Sequence, residues 1–477
     1  MKKIGLLFSI VSFVICFPFM AMAEGPTSCE KVSTRSEKTV EIKVKQEINN
    51  KDQLSKDVLK KAIFSYKILD LDDNVLAETK SDSDGNVIFD CFNVKASDLR
   101  GYKIYKIVME DNANIPFDYD SNIVYFSLRP NYNYTDGLFN PIVAYYRDDG
   151  NDSPVRYNTP YKGKVFHASE EELQGTAYAV LDKTTGVMTF FRDEPGKYTN
   201  KQEDGNKIYY TGFEEHQNKN WYSAWNGGWR DDYVIRPYIK KIVFEDAVRP
   251  NNITGWFENL SELEELNIEK LDTSLLTGID FFLLGCPKVK SVDISTFDAS
   301  NVNSMFKSFN NTSVEYLNFT SLNLDQSLSR MQLSEFVLDN NNLKYLNISN
   351  FGDWSSSGEI TNLPCLEKIV INDTYDFSRG NIDGQGPQIW YNPRKNRVFT
   401  NSEMHNILHN HSESMAGYYI RPMCTTNASF IIKYNSSKIK NPITNPKTEG
   451  PVLIVVVFIA LILGFGTFIY KKEIFRY

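Results

Sequence analysis

A six-residue frame, apolar-x-x-apolar-x-apolar, recurs six times in the second half of this chain: Ile239-Ile242-Phe244, Leu263-Leu266-Ile268, Val289-Val292-Ile294, Val314-Leu317-Phe319, Leu343-Leu346-Ile348 and Leu366-Ile369-Ile371. Successive copies start 24, 26, 25, 29 and 23 residues apart. In each frame the last two apolar residues stand two apart, which places them on one face of a strand. A period this regular constrains the fold more than any other feature of the chain, since ordinary strands of a globular sheet keep no period. One copy cannot bury its own apolar face, so the copies must stack to form a core.

The period predicts a leucine-rich repeat solenoid, with six rungs forming a slab about 25–30 Å long at about 4.8 Å per strand. The segments between frames carry a second signal. "FDASNVNSMFKSF" at 297–309 and "LDTSLLTGIDFFLLGCP" at 271–287 resemble the repeats of BspA-like bacterial surface proteins. Asn301, Met305 and Phe306 match in one copy, and Asp272, Ser274, Phe282 and Cys286 in the other. "AYAVLDKTTGVMTFFRD" at 177–193 resembles the hairpin that introduces such arrays. The resemblance spans roughly 175–400 and implies adhesion or recognition, not catalysis. In physical terms Met305 and Phe306 plug the convex side, Cys286 and Cys365 fit buried ladders, and Asp-x-Ser offers side-chain oxygens to a turning backbone.

The segment from about 38 to 161 has another texture. Seven short alternating runs, "TVEIKVKQEI", "AIFSYKILDLDD", "NVLAETK", "GNVIFDCF", "GYKIYKIVME", "NIVYFSLRPNY" and "PIVAYYRDDG", predict an antiparallel sandwich. "DSDGN" at 82–86 lies between two of these runs and lacks the full ligand set of a calcium loop, so it reads as a hairpin turn. In the order of its runs, 43–161 resembles the streptococcal pilin-type isopeptide domain. That resemblance implies a crosslink from Lys45 or Lys43 to Asn158, with Glu110 moving the protons. The chemistry requires a buried lysine, uncharged through desolvation, and a buried protonated acid. Phe64, Phe89, Tyr102, Tyr105 and Tyr125 would supply the apolar surroundings. The same sandwich without a crosslink is the alternative.

Two apolar termini set the expected compartment. Lys2-Lys3, the run Ile4 to Met20 and Ala21-Met22-Ala23 have the order of a secretory signal, with the mature chain starting near Glu24. Residues preceding Cys16 lack the small side chains of a lipid-attachment site. Pro451 to Tyr470 is long and apolar enough for a transmembrane helix, and Lys471-Lys472 with Arg476 place the tail in the cytoplasm. "NPKTEG" at 445–450 resembles the sorting signal of Gram-positive surface proteins, which implies sortase processing at Thr448 and attachment to the cell wall. Glu449 stands where that signal has Gly, and Asn445 where it commonly has Leu.

The formal charge of −8 and the lack of a basic block exclude nucleic acid as a partner. Five cysteines remain after the signal, an odd number without a CxxC pair, so neither a disulfide framework nor a zinc knuckle is expected. Trp221, Trp225 and Trp229 are ligand-binding candidates beside the array entrance, or a lid over its first rung. His405 and His409 stand one helical turn apart with His411 nearby, yet no further ligand at known spacing completes a metal site. No cofactor, metal, nucleophile–base pair or phosphate loop is indicated.

The expected fold is therefore mainly β: an N-terminal antiparallel β-sandwich, a leucine-rich repeat solenoid and a single C-terminal transmembrane helix. The expected boundaries are a signal peptide at 1–23, the sandwich at 24–165, an entry cap at 166–237, the solenoid at 238–400, an exit cap and stalk at 401–444, and the anchor at 445–477. The expected function is that of a surface-anchored, non-enzymatic protein binding an extracellular protein or glycan. A structural stalk or pilus-like spacer is the alternative, and a surface hydrolase lacks any supporting motif.

Overall fold

The computed structural model describes residues 31–49, 51–55, 62–99, 103–110, 117–119, 123–131, 137–148, 150, 165–214, 235–294, 296–302, 304–319, 340–349, 363–373 and 389–434. The described fold is mainly β. All seven alternating runs of the N-terminal segment form strands: β1 (Glu37–Asn49), β2 (Ser65–Leu69), β3 (Val75–Lys80), β4 (Asn86–Lys95), β5 (Lys103–Met109), β7 (Ile123–Arg129) and β8 (Ile142–Asp148). A short β6 (Phe117–Tyr119) adds to them.

β1 shows why the segment folds as it does. Ile42 and Val44 alternate with exposed Glu41, Lys43 and Lys45, so one face is buried and the other wet. The buried face meets Phe64, Tyr66, Phe89 and Phe126 in one apolar core between two sheets. Gln46 is the polar member of that face. Its amide donates to Ala62 O (2.7 Å) and accepts from the Tyr66 hydroxyl (2.7 Å), so both ends are satisfied. Residues 82–86 form the expected turn: Asp82 Oδ1 accepts from the Asp84 and Asn86 amides, and Gly85 sits at φ +77° with Gln46 O 2.5 Å from where a Cβ would stand.

The sandwich is not closed by its own neighbourhood. One sheet has the order β3-β2-β5-β7-β8; the other runs β4-β1-β21-β6, in which β21 is Ser429–Tyr434. β21 lies parallel to β1, pairing Lys45 with Ser429 through Asn49 with Lys433, and buries Phe430 and Ile432 in the sandwich core. This corrects two expected boundaries. The sandwich does not end at 165, and 401–444 is not a separate exit cap and stalk, because its last strand belongs to the first body.

Five of the six frames form strands, and these pair in parallel in two separate sets. The introducing hairpin forms β9 (Thr176–Asp182) and β10 (Val187–Asp193), flanked by β11 (Gln202–Asp204) and β12 (Lys207–Thr211). β10 then pairs in parallel with β13 (Lys241–Phe244), and β13 with β14 (Glu265–Asn267). β15 (Tyr316–Asn318), β16 (Tyr345–Asn347) and β17 (Lys368–Ile371) form a second parallel set. The register places Ile242 opposite Leu266, and Leu317, Leu346 and Ile369 in one column, which are the middle residues of their frames. Of the eighteen frame positions all but Leu266 are buried, and one core runs continuously from Ala177 to Tyr419. The third frame buries Val289, Val292 and Ile294 without forming a named strand.

The register has an electrostatic counterpart. The residue after the first apolar position alternates in sign from frame to frame: Lys240, Glu264, Lys290, Glu315, Lys344, Glu367. Backbone bonds join this column directly, with the amides of Glu264, Glu315, Lys344 and Glu367 donating to the carbonyls of Lys240, Lys290, Glu315 and Lys344 at 2.8–3.0 Å. Lys344 Nζ also meets Glu315 Oε2 at 3.0 Å. A slip by one frame would place like charges side by side, so the column specifies stacking order.

Beyond β17 the sheet continues through antiparallel β20 (Gly417–Ile420), then through the hairpin of β18 (Ile389–Asn392) and β19 (Arg397–Thr400). The helix Asn401–His409 starts from a capping box made by Thr400 and Glu403. Cys365 and Cys424 form a disulfide and Cys91 is disulfide-bonded as well, which overturns the expectation that the chain carries no disulfide framework. Cysteine counting failed because the pairing depends on which residues the fold brings together. Cys286 is the free, buried ladder residue foreseen, and burial pushes its thiol up to about 12. Asp272 and Asp298 each accept from the amide two residues on, at 3.0 Å, as Asp-x-Ser suggested. Met305 is buried, whereas Phe306 is half-buried edge-on to Phe281.

Candidate functional site

The strand positions between the apolar ones face away from the core, and they divide the stacked frames in two. In the first three frames they are Lys241 and Val243, Glu265 and Asn267, and Ser291 and Asp293, all exposed or half-buried. In the last three they are Tyr316 and Asn318, Tyr345 and Asn347, and Lys368 and Val370, none more than 3% exposed. The cover is the sandwich. Ile104, Tyr125 and Tyr146 from β5, β7 and β8 form one apolar cluster with Tyr316, Tyr345, Val370, Tyr391, Tyr418 and Ile420.

Polar groups fasten that contact. The Tyr418 hydroxyl donates to Asp148 Oδ2 (2.9 Å), while Lys368 Nζ lies 3.8 Å from Asp148 Oδ1 and 4.4 Å from the centre of the Tyr418 ring. Ser127 Oγ donates to Pro422 O (2.8 Å) and Asn396 Nδ2 to Leu71 O (3.2 Å). Burial raises the Tyr125 phenol far above its ordinary range, and burial likewise raises that of Tyr391. Half of the expected recognition surface is thus occupied by the chain itself.

The outer face of the sheet β11-β12-β9-β10-β13-β14 and the third frame beside it are half-buried or exposed, apart from buried Tyr178 and Tyr209. One row across this face is Tyr209, Val180, Thr189, Val243 and Asn267; a second is Lys207, Asp182, Val187, Lys241 and Glu265. At one end Tyr198 stacks on Tyr209 (4.1 Å between ring centres, planes 4° apart) and meets Tyr178 and Phe191 edge-on. Tyr178 pins the loop that carries Tyr198: its hydroxyl donates to Glu194 O (2.9 Å) and accepts from the Lys197 amide (3.1 Å). At the other end a groove of about 120 Å³ is lined by Leu266 to Glu269 and Ser291 to Asp293. Two ion pairs bridge neighbouring frames, Lys241 with Glu265 across β13 and β14 and Lys288 with Glu262, each at 2.5 Å.

Below the aromatic end, a charged network fixes the entrance strands to the first frames. Arg249 donates to Asp272 (2.8 Å) and Glu170 (3.1 Å), and Arg192 to Glu214 (2.8 Å). Burial pushes the Asp272 carboxyl upward, but bonds from Arg249, Ser274 and the Ala168 amide outweigh it and hold the group below its ordinary range. These bonds anchor the face.

The residues expected to form a crosslink are not assembled for it. Lys43 and Lys45 both project to solvent from β1, and Lys45 Nζ is bonded to Asn86 Oδ1 (2.8 Å). Glu110 follows β5 in the opposite sheet, is 42% exposed at its side chain and pairs with Lys67 at 2.6 Å. Neither lysine nor acid has the burial that the reaction needs, since alternation along β1 turns Ile42, Val44 and Gln46 inward. Asn158, Trp221, Trp225, Trp229 and Thr448 lie outside the described residues, as do the signal and the segment 451–470. Among the described residues no helix is long and apolar enough to cross a membrane, and no group of three His, Cys, Asp or Glu is placed to hold a metal ion.

Sequence reading missed Phe191, Tyr198 and Tyr209 on the open face, and the tyrosines of the covered one. A signal for the second group existed. "EYLN" at 315–318 and "KYLN" at 344–347 put Tyr where earlier frames have Lys, Glu and Ser, a change from wet to buried at the same register. No protein-family model matches the chain, and no curated protein matches it.

Proposed function

We propose that this is a leucine-rich repeat surface protein of the BspA-like kind, which recognises an extracellular ligand through the outer face of its entrance sheet and first three rungs. The observation that carries the reading is the division of that face: the same strand positions are mostly polar and exposed or half-buried in three frames, and covered in the other three, two of which carry Tyr. A spacer would have no need to leave one half bare. The open half offers an aromatic end at Tyr198, a central row of Val180, Thr189 and Val243, and a groove by Asn267 and Asp293. Its role is binding, without catalysis, and the apolar tail at 451–470 would hold it at the cell surface.

The test is a glycan and extracellular-matrix array probed with the full mature chain, followed by the Phe191→Ala/Tyr198→Ala variant. The expected result is a saturable ligand lost in the variant, with thermal stability of the rungs unchanged. Absence of any ligand, or equal binding by the variant, would leave the stalk reading in its place.

A further inference from the structure

β1 opens the described sandwich and β21 closes it, and the two are adjacent, parallel strands inside one sheet. Five register pairs join them, and three more join β21 to β6 on its other side. Phe430 and Ile432 lock the strand into the core, with Phe430 against Tyr66 at 5.1 Å between ring centres. For parallel neighbours, the leading end of one and the trailing end of the other lie at opposite ends of the shared ladder. Tension between the two chain ends therefore slides β21 along β1 and strains every bond at once. Tension applied at matching ends would peel the bonds one by one.

Directly before β21, residues 421–425 are held from two sides. From the last frame, Glu367 Oε1 accepts from the Met423, Cys424 and Thr425 amides (3.3, 2.9 and 2.8 Å), and Cys365 is bonded to Cys424. From the sandwich, the Tyr145 amide donates to Thr425 O (2.8 Å) and Arg129 donates to Met423 O (2.7 Å). Only Thr426 to Ala428 separate this staple from the strand.

We infer that the β1–β21 ladder, backed by the Cys365–Cys424 staple, is a force-bearing clamp: load from the C-terminal side is carried first in shear by the ladder, then caught at Cys424 and passed to Cys365. The chain between those cysteines is thereby bypassed. This load-bearing function adds to the binding reading and rests on it only for the source of the load, a ligand on the array pulling against a tail held at the surface.

The test is single-molecule force spectroscopy on the full chain. In one geometry the handles are at the two chain ends; in the other they are at the N-terminal end and at Asn427→Cys, an exposed site just before β21. The native contacts are the same in both. The first geometry is expected to rupture at severalfold higher force. Removing the staple with Cys365→Ser/Cys424→Ser, which leaves the Cys91 disulfide in place, is expected to lengthen the fully extended chain by about 200 Å, since the Cys365–Cys424 bond hides a sequence separation of 59 residues at roughly 3.3–3.6 Å each. Equal rupture force in the two geometries, or equal extended length with and without the Cys365–Cys424 staple, overturns the clamp. Neither outcome touches ligand binding, which the array experiment decides separately.

Discussion

Substituting Phe430 by Ala tests the most consequential feature of the fold, the closure of an N-terminal sandwich by a C-terminal strand. Phe430 is fully buried, packs at a tilt against Tyr66 and shares its core with Ile42, Phe64 and Phe117. Truncating a buried Phe costs about 3–5 kcal/mol through lost transfer energy and the cavity left behind. That is a large part of the roughly 5–15 kcal/mol that holds a domain folded. The loss should appear in β1, because Gln46 to Ile48 pair with Phe430 to Ile432. Hydrogen exchange on the full chain provides the assay: protection of the β1 and β4 amides should fall by at least a hundredfold in Phe430→Ala, while Lys433→Ala, exposed on the same strand, changes little. A companion fragment covering 24–165 should fail to fold. Unchanged protection in β1, or a cooperative melt of the fragment alone, would refute the claim that β21 completes the sandwich.

The remaining expectations concern the frames, the covered face and acid. Leu317→Asp should melt the fourth to sixth frames together, since an unpaired charge in the core costs several kcal/mol, whereas exposed Ser261→Ala should shift the unfolding midpoint little. Tyr418→Phe removes a hydroxyl that donates to the buried Asp148 and should cost about 1.5–3 kcal/mol in denaturant unfolding. The carboxyl of Asp272 is held below its ordinary value in the fold, so its contribution is complete above about pH 4 and is lost as pH falls through the lower folded value. Asp272→Asn should therefore flatten the acid limb of the stability profile below pH 4, and an unchanged limb would mean that other carboxylates set it.

What the sequence determined by itself is everything that depends on local burial. A frame repeated every 23–29 residues specified parallel stacking, its register and the identity of its core residues, because each apolar position faces the same environment in every copy. Alternation specified seven of the sandwich strands for the same reason. Tertiary structure alone decided which surfaces meet. "SFIIKY" at 429–434 reads as one more half-buried strand, and nothing in its six residues names a partner, although Ser429 donates to Glu47 across a separation of 382 residues. Lysines on β1 read equally well as nucleophiles or as solvent contacts until the pleat directed Ile42 and Val44 inward and Lys43 and Lys45 outward. Likewise Tyr316 and Tyr345 became a docking surface, with Lys241 and Glu265 left open in the same register, only because the sandwich lies on one half of the array. Periodicity records how deeply a position is buried. It carries no record of which distant segment buries it, since any apolar surface of matching shape satisfies the same hydrophobic requirement.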